Sequence, residues 1–273
     1  MGERFGGARS DQQPLQFVLR SPWRGGRVLS RRRPESLCFL ETGIVALVID
    51  GGRLPPHRST SIMTKRALII ANGEPPKKSL LQALVKEVQL VVCADGGANT
   101  ALKLGVTPHA IVGDMDSIHT ETFVKFHKVP GYEDSDQEST DLEKAIAWTI
   151  KQKFDHITVV GGLGKRIDHT VSNLGLIPKF FPDAVIRIVD DIGELSLVGS
   201  GVEFDAKVGT TISLIPLGRC EGITTVGLRY PLSDDYLEPG LRDGTSNVVV
   251  SSPVIIRVKK GNLLLFKMHA AQH

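Results

Sequence analysis

The sequence predicts an α/β protein, in which an open parallel α/β domain at residues 63–191 is followed by a small all-β sandwich domain at residues 192–273. In the first region short apolar runs alternate with stretches of helical spacing, a pattern typical of parallel strands joined by right-handed crossovers. In the second region short β-rich runs follow one another with no helix-length pattern between them. With 41% hydrophobic and 23% charged residues, the chain of 273 residues has the composition of a globular protein.

The leader, residues 1–62, differs in composition from the rest of the chain. It holds ten Arg, no Lys and five acidic residues, a net charge of +5, whereas residues 63–273 carry −2. We expect a disordered extension, with the folded chain beginning at Met63; a transit peptide is an alternative that the five acidic residues weaken. The slightly acidic folded region does not favour a nucleic-acid partner. No apolar run approaches the roughly 18 residues that span a bilayer, so no membrane segment is predicted.

The cysteines indicate a reducing compartment. Cys38, Cys93 and Cys220 form an odd set without a CxxC pair, which argues against a disulfide framework and against a zinc site. The sequence therefore predicts reduced thiols in a cytoplasmic protein.

The elements of the first region follow from two local patterns. Strands are predicted where short apolar runs end at Gly, Asp or a turn: 67–71, 90–94, 110–112, 157–160 and 185–189. Helices are predicted where apolar residues recur at helical spacing: 79–87, 98–104, 120–127, 142–151 and 168–179.

The second region has the pattern of an all-β unit. Its predicted strands are separated by Gly, Pro and Asp residues: 195–198, 208–215, 222–226, 247–250, 254–258 and 263–268. Such short strands at close spacing predict a sandwich or a barrel.

Three predicted strands of the first region end in Gly together with Asp. These strand ends are residues 95–99, 113–117 and 161–169. Ligands of an open parallel sheet bind at the carboxyl ends of its strands, and glycines there let a polyanion approach backbone N–H groups. The aspartates would repel a polyphosphate unless a cation lay between them, and Mg²⁺ accepts carboxylate and phosphate oxygens together. The sequence therefore predicts a magnesium–polyphosphate site at this edge.

Asp114 and Asp116 are the first candidates for metal ligands, because they lie two residues apart directly after a strand. The alternative is a solvated turn in which Asp or Ser117 caps the next helix. Three such strand ends together favour the metal site over the turn.

A further candidate lies at the start of a helix. Thr140 and Glu143 have the spacing of a capping box, which puts Asp141 in the first helical turn. An Asp there is favourable through the helix dipole alone. The functional alternative is a third metal carboxylate, beside a nucleotide held by Gln137 and Thr140.

Six motifs in this order resemble the thiamin pyrophosphokinase family. They are residues 95–99, 113–117, 137–141, 161–169, 227–232 and 244–247. The resemblance extends over residues 63–269. It implies an α/β nucleotide-binding domain followed by a β-sandwich, acting as a homodimer with Mg²⁺ and ATP.

The resemblance also implies a role for each matching residue. The carboxylates that hold Mg²⁺ against the polyphosphate are Asp114, Asp116 and Asp141. The residues that line the nucleotide are Gln137, Thr140, Arg166 and Asp168. The residues that bind thiamin are Tyr230, Ser246 and Asn247, with Tyr230 reaching the site of the neighbouring subunit. One departure is Glu138, which stands where many members have Asp.

The implied activity is transfer of the pyrophosphoryl group of ATP to the hydroxyl of thiamin, giving thiamin diphosphate and AMP. Lys165 or Arg166 would offset the charge that grows during transfer, and the candidate general bases are Asp95, Asp116 and Asp168. An aromatic wall at residue 230 suits thiamin, which is a flat cation. Two alternatives stay open: an Mg²⁺-dependent nucleoside polyphosphate hydrolase, and a sensor that binds nucleotide or thiamin without turnover.

Overall fold

The computed structural model describes residues 64–136 and 138–269, together with two short antiparallel strands, β1 (Leu37–Phe39) and β2 (Val45–Leu47). The rest of the leader, for which we predict disorder, lies outside the described residues, as does Gln137. No helix in the described ranges is both long and apolar enough to cross a membrane.

Strands and helices alternate from Arg66 to Val189, as the sequence predicts. The strands are β3 (Arg66–Ile70), β4 (Leu90–Ala94), β5 (Ala110–Gly113), β6 (Gly131–Glu133), β7 (His156–Val160) and β8 (Val185–Val189). The helices are α1 (Lys78–Lys86), α2 (Gly97–Leu104), α3 (Thr120–Lys125), α4 (Asp141–Lys151) and α5 (Ile167–Phe180). The sequence patterns did not predict β6.

The six strands β3–β8 form a parallel array in the order β8-β7-β3-β4-β5-β6. Apolar side chains of α4 and α5 pack on one face of the array, and those of α1 and α2 pack on the other. Because both faces are covered, the central strands are continuous apolar runs. Parallel pairing brings the carboxyl ends of these strands to one edge, which is where the polar motifs lie.

The C-terminal part of the chain, residues 193–268, is a β-sandwich. Its strands are β9 (Gly193–Leu197), β10 (Gly201–Phe204), β11 (Thr211–Pro216), β12 (Cys220–Val226), β13 (Asp235–Leu237), β14 (Gly244–Val248), β15 (Val254–Arg257) and β16 (Leu263–Met268). One antiparallel sheet has the order β10-β15-β12-β13, and β14-β11-β16-β9 form the other layer. Buried side chains from both layers make one shared core. The sequence patterns did not predict β10 and β13.

The large sheet continues through the point at which we place the domain boundary. Strands β8 and β9 pair antiparallel in a hairpin, so β14-β11-β16-β9 extend the parallel array into one sheet of ten strands. The Asp190 carboxylate stabilises the connecting turn by accepting the N–H groups of Ile192 and Gly193, at 2.8 Å each. Glu194 then forms ion pairs with Arg187 and Lys267, which lie on its two neighbouring strands. Backbone pairing therefore fixes the sandwich relative to the parallel array.

Candidate active site

Three carboxylates meet at the carboxyl ends of β4 and β5. Asp95 follows β4, and Asp114 and Asp116 follow β5. One carboxylate oxygen of each lies within 4.8 Å of the others. This spacing suits a single divalent cation, because hard cations prefer carboxylate oxygens as ligands.

Asp95 is the buried member of this group. Its side chain is 2% exposed and its backbone has a φ of +40°, a conformation that Asp and Asn tolerate better than most residues. The Ser117 hydroxyl and the Gly96 N–H lie beside the carboxylate and favour its charged form. Its Oδ1 atom is buried and has no hydrogen-bond partner among the described residues. Such an oxygen is costly to bury unless a ligand completes it.

Gly113 allows the carboxylates to come close to one another. A Cβ atom at this position would lie 2.8 Å from Cβ of Asp95 and 3.1 Å from Oδ1 of Asp141. Its φ of +149° is a further reason why an L side chain is disfavoured there. The last residue of β5 therefore has to be glycine for Asp95 and Asp141 to face the same space.

The loop after β5 is held from both ends. The Asp114 carboxylate accepts the N–H of Asp116 at 3.3 Å, and the Ser117 hydroxyl donates to Asp116 at 2.9 Å. From α2, the Asn99 amide donates to the Ser117 carbonyl at 2.8 Å and accepts the His119 N–H at 3.0 Å. These bonds pre-organise the two carboxylates before any ligand binds.

Helix α4 brings a fourth carboxylate to the group. The Thr140 hydroxyl caps the helix by accepting the Glu143 N–H at 3.3 Å, which confirms the predicted helix start. Asp141 therefore sits in the first turn, where its carboxylate accepts the N–H of Asp114. The buried Lys144 ammonium lies 3.8 Å from Asp141 and donates to the Asp134 carbonyl at 2.8 Å. Lys144 thus offsets part of the negative charge at the wall of the cleft.

The electrostatics of the group favour a bound cation. Burial raises the pKa of Asp95 above its usual range, and the neighbouring charges of Asp114 and Asp116 add to that rise. Burial raises the pKa of Asp141 as well, together with repulsion from Asp95 and Asp114. A cation among these carboxylates would remove the repulsion and give the unpartnered Oδ1 of Asp95 a ligand. The residues present therefore fit a divalent ion such as Mg²⁺.

A glycine-rich loop, residues 161–164, forms the opposite wall. Gly161 has a φ of +66°, and a Cβ atom there would lie 2.5 Å from the carbonyl oxygen of Ala71. From α5, the Asn173 amide donates to the Gly162 carbonyl at 2.7 Å, and the Thr170 hydroxyl accepts the Gly164 N–H at 3.1 Å. Side chains of α5 therefore hold the backbone of the loop in place.

Two cations follow this loop. The Lys165 ammonium donates to the Asn72 carbonyl at 3.0 Å, which holds it across the cleft. The exposed Arg166 guanidinium pairs with the Asp168 carboxylate at the first turn of α5. This hydrogen bond lowers the pKa of Asp168 to about 2. Asp168 is therefore a weak proton acceptor at neutral pH and serves to orient Arg166.

These walls enclose a cleft of about 380 Å³. Of the residues predicted from sequence, those that line it are Asp95, Asp114, Thr140, Asp141, Lys165 and Arg166. Residues of the lining that the sequence patterns did not indicate include Asn72, Lys144 and Asn173, whereas His169 belongs to the predicted motif 161–169. The burial of Lys144 marks it as a residue with a role, but that burial is visible only in the structure. No residue of the sandwich lines this cleft within the described part of the chain.

The three residues that the resemblance assigns to thiamin lie together on the sandwich. Tyr230 is 66% exposed. Ser246 is exposed with a φ of +56°, and its N–H donates to the Ser213 hydroxyl at 3.0 Å. Asn247 is only 6% exposed, and its amide bonds the main chain of Tyr230. The structure thus brings these three residues together, and none of them lines the cleft.

Two family models match the chain in sequence. Residues 81–189 match "Thiamin pyrophosphokinase, catalytic domain", and residues 202–263 match "Thiamin pyrophosphokinase, vitamin B1 binding domain". The thiamin pyrophosphokinase 1 of Caenorhabditis elegans is 33% identical over 232 residues, which cover 79% of this chain and 94% of that protein. The thiamine pyrophosphokinase of Bacillus subtilis (strain 168) is 28% identical over 209 residues, 73% of this chain and 96% of that protein.

Solved structures have the same fold. The crystal structure of the Bacillus subtilis thiamine pyrophosphokinase superposes with a TM-score of 0.65 at 25% identity, covering 76% of this chain and all of that one (100%). The thiamin pyrophosphokinase of Candida albicans superposes with a TM-score of 0.67 at 19% identity, covering 76% of this chain and 90% of that one.

Replacing the buried carboxylate should separate stability from metal binding. Asn suits the positive φ of Asp95 and removes one buried charge, so Asp95→Asn should raise the melting temperature without Mg²⁺ by about 2–4 °C. Because the folded-state pKa of Asp95 is raised, the wild-type carboxylate is tolerated at low pH and becomes destabilising as pH rises through that pKa. The gain should therefore grow as pH increases from about 4.

Differential scanning calorimetry with and without Mg²⁺ measures both effects. The wild type should gain stability from Mg²⁺ and Asp95→Asn should gain little. Asp183→Asn, at an exposed turn after α5, is the matched control and should behave as the wild type. An Asp95→Asn variant that is less stable without Mg²⁺ but keeps the full Mg²⁺ shift would contradict this account.

Proposed function

The chain belongs to the thiamin pyrophosphokinase family, and on that premise we propose how its own residues carry out the reaction. It transfers the pyrophosphoryl group of ATP to the hydroxyl of thiamin and gives thiamin diphosphate and AMP. The observation that carries the assignment of roles is the convergence of the carboxylates Asp95, Asp114 and Asp141, a glycine loop and two cations on one cleft. A nucleotide hydrolase would have no use for the vitamin B1 binding region at residues 202–263.

Asp95, Asp114 and Asp116 would hold Mg²⁺, with Asp141 beside them. The Oδ1 atom of Asp95 supports this assignment, because it is buried without a hydrogen-bond partner beside the charges of Asp114 and Asp116. It is therefore available as a metal ligand. When bound, Mg²⁺ neutralises polyphosphate charge and polarises the phosphorus–oxygen bonds at the reacting centre. Asp95 thereby joins the set Asp114, Asp116 and Asp141 that the resemblance implies.

The glycine loop and the two cations would bind the polyphosphate. Residues 161–164 present backbone close to the ligand without side chains in the way, except for Leu163. Lys165 and Arg166 lie at the end of this loop, where they can offset charge on the transferred group. The thiamin hydroxyl oxygen attacks the β-phosphorus and loses its proton to water, the bond from that phosphorus to the bridging oxygen of AMP breaks, and AMP leaves with the electron pair.

None of the three candidate bases is free to act as one. Asp95 and Asp116 belong to the cation group, and Asp168 is paired with Arg166 and has a pKa of about 2. Phosphoryl transfer commonly passes through a loose transition state, in which little proton abstraction is needed before the leaving group departs. We therefore attribute catalysis chiefly to positioning and to charge stabilisation.

A homodimer would complete the site. Tyr230 and Ser246 are exposed on the sandwich, and neither lines the cleft of the same protomer. Other apolar side chains of the sandwich are also exposed, including Val226, Leu241 and Val250. In a two-fold dimer each sandwich could cover the other protomer's cleft, so that thiamin lies between them. Nucleotide contacts from Gln137 and Thr140 belong to the same proposal, with Thr140 already at the cleft wall.

We place the protein in the cytoplasm. Cys93 and Cys220 are buried free thiols, which suits a reducing compartment. Burial raises the pKa of both thiols, so neither is a reactive nucleophile at neutral pH.

Steady-state AMP release with and without thiamin tests the function. We expect AMP release to depend on thiamin; release without thiamin would indicate a hydrolase, and binding without release would indicate a sensor. Asp114→Asn should reduce turnover by about 100-fold or more, because the amide keeps the shape but loses the charge that holds the cation. Asp183→Asn should leave turnover unchanged, and circular dichroism should show that both variants are folded.

Mixed dimers test the placement of Tyr230 across the subunit boundary. One subunit carries Tyr230→Ala and the other Asp114→Asn, each with its own affinity tag so that only heterodimers are purified. If Tyr230 acts in the partner's site, one site of the heterodimer carries both changes and the other carries neither. Thiamin kinetics should then show a wild-type KM at about half the wild-type rate.

The opposite arrangement gives a different result. If Tyr230 acts in its own protomer, each site of the heterodimer carries one change, and only the weakened thiamin KM remains. That outcome would refute the shared site.

A further inference from the structure

Asn247 holds the main chain of Tyr230 through both of its polar groups. The Asn247 Oδ1 atom accepts the Tyr230 N–H at 3.0 Å, and the Nδ2 group donates to the Tyr230 carbonyl at 2.8 Å. The same Oδ1 atom also accepts the N–H of Val248 at 2.9 Å. The side-chain amide thus pairs with one residue in the way that a neighbouring strand would.

This arrangement leaves Asn247 little capacity for a ligand. Both acceptor positions of Oδ1 and one of the two amide protons are in use, and the side chain is 6% exposed. Asn is also the residue type that the contact needs. Asp would lose the donor and bury a charge, and Ala would leave the Tyr230 N–H and carbonyl without partners.

The chain on either side of Tyr230 is fixed as well. Before it, the Arg229 N–H donates to the Val248 carbonyl at 2.8 Å. After it, Pro231 restricts the backbone, and the Leu232 N–H donates to the Thr225 hydroxyl at 2.9 Å. The backbone of Tyr230 is therefore held between two anchored points while its ring remains 66% exposed. These contacts leave the aromatic ring of Tyr230 exposed to solvent. Such exposure of apolar surface is unfavourable unless a ligand covers the ring.

We propose that Asn247 is a positioning residue, which fixes the main chain of Tyr230 and acts on thiamin only through the Tyr230 ring. The inference rests on the proposed function in one respect, namely that Tyr230 contacts thiamin. It differs from the role implied by the family resemblance, in which Asn247 itself binds thiamin. A ring on a rigidly held main chain loses less conformational freedom when it binds a ligand. The side-chain amide of Asn247 thereby contributes to thiamin affinity without touching the substrate.

A double-mutant cycle on the thiamin KM of the full-length enzyme tests this proposal. Tyr230→Ala should raise the thiamin KM by about five- to thirty-fold. Asn247→Ala should raise it by a similar or smaller factor, with the ATP KM and the kcat at saturating thiamin nearly unchanged. The double variant should match Tyr230→Ala alone, because Asn247 has no other route to thiamin.

Two further variants keep the test decisive if Asn247→Ala folds poorly. Asn247→Asp keeps the acceptor oxygen, removes the donor and buries a charge beside the Tyr230 carbonyl, so its thiamin KM should rise as that of Asn247→Ala does. Thr224→Val removes a different side-chain bond of the sandwich, from the Asp234 N–H at 3.1 Å, and should leave the thiamin KM unchanged. A thiamin KM that rises with Thr224→Val would mean that any loosening of the sandwich has the same effect, and would overturn the proposal.

The remaining outcomes separate this proposal from the proposed function. Factors that multiply in the double variant would show that Asn247 contacts thiamin directly, and the proposal would fail while the function stands. An effect of Asn247→Ala without an effect of Tyr230→Ala would also overturn it. If neither variant changes the thiamin KM while thiamin-dependent AMP release persists, both the aromatic wall and its positioning residue are wrong.

Discussion

Repulsion among clustered carboxylates is the constraint around which this protein is built. Asp95, Asp114 and Asp116 hold oxygens within 4.8 Å of one another, and Asp95 is buried with one oxygen unpartnered in the described chain. Folding tolerates this arrangement because parallel strands β4 and β5 fix the backbone and Gly113 leaves the space open. We infer that this repulsion lowers the stability of the protein without ligand and that a bound cation restores it. Such unfavourable charge groups are common at functional sites.

The rest of the fold positions the other parts of the candidate site around the carboxylates. The parallel array brings the glycine loop and the cations Lys165 and Arg166 to the same edge. The continuous ten-stranded sheet then fixes the sandwich, with Tyr230 on its surface, relative to that edge. We place the two halves of each substrate site on different protomers, which accounts for an exposed aromatic residue that is held so firmly by its main chain.

Local pattern was enough to predict elements that bury several consecutive apolar residues, such as β4 and β16, whose predicted and observed bounds agree. It missed β6 and β13, three residues each, because they contain too few apolar residues and form where a neighbouring strand offers an edge. The pairing of β8 with β9 was missed for a related reason. The Asp-rich turn between them has the composition of a linker, and only the tertiary structure shows that it closes a hairpin.

The candidate site was also predictable only in part. Asp95, Asp114 and Asp116 were predictable as site residues because each follows a strand, whereas the close approach of Asp95 to the other two depends on packing against Gly113. The role of Asn247 could not be predicted, since no local signal shows that its amide bonds a residue 17 positions away.

X-ray diffraction from crystals grown with an ATP analogue and Mn²⁺ in place of Mg²⁺, measured at the manganese absorption edge, tests the central claim most directly. The account predicts an anomalous peak about 2.1 Å from carboxylate oxygens of Asp95, Asp114 and Asp116. A peak held by other residues, or an occupied nucleotide site in which Oδ1 of Asp95 still has no ligand, would contradict it.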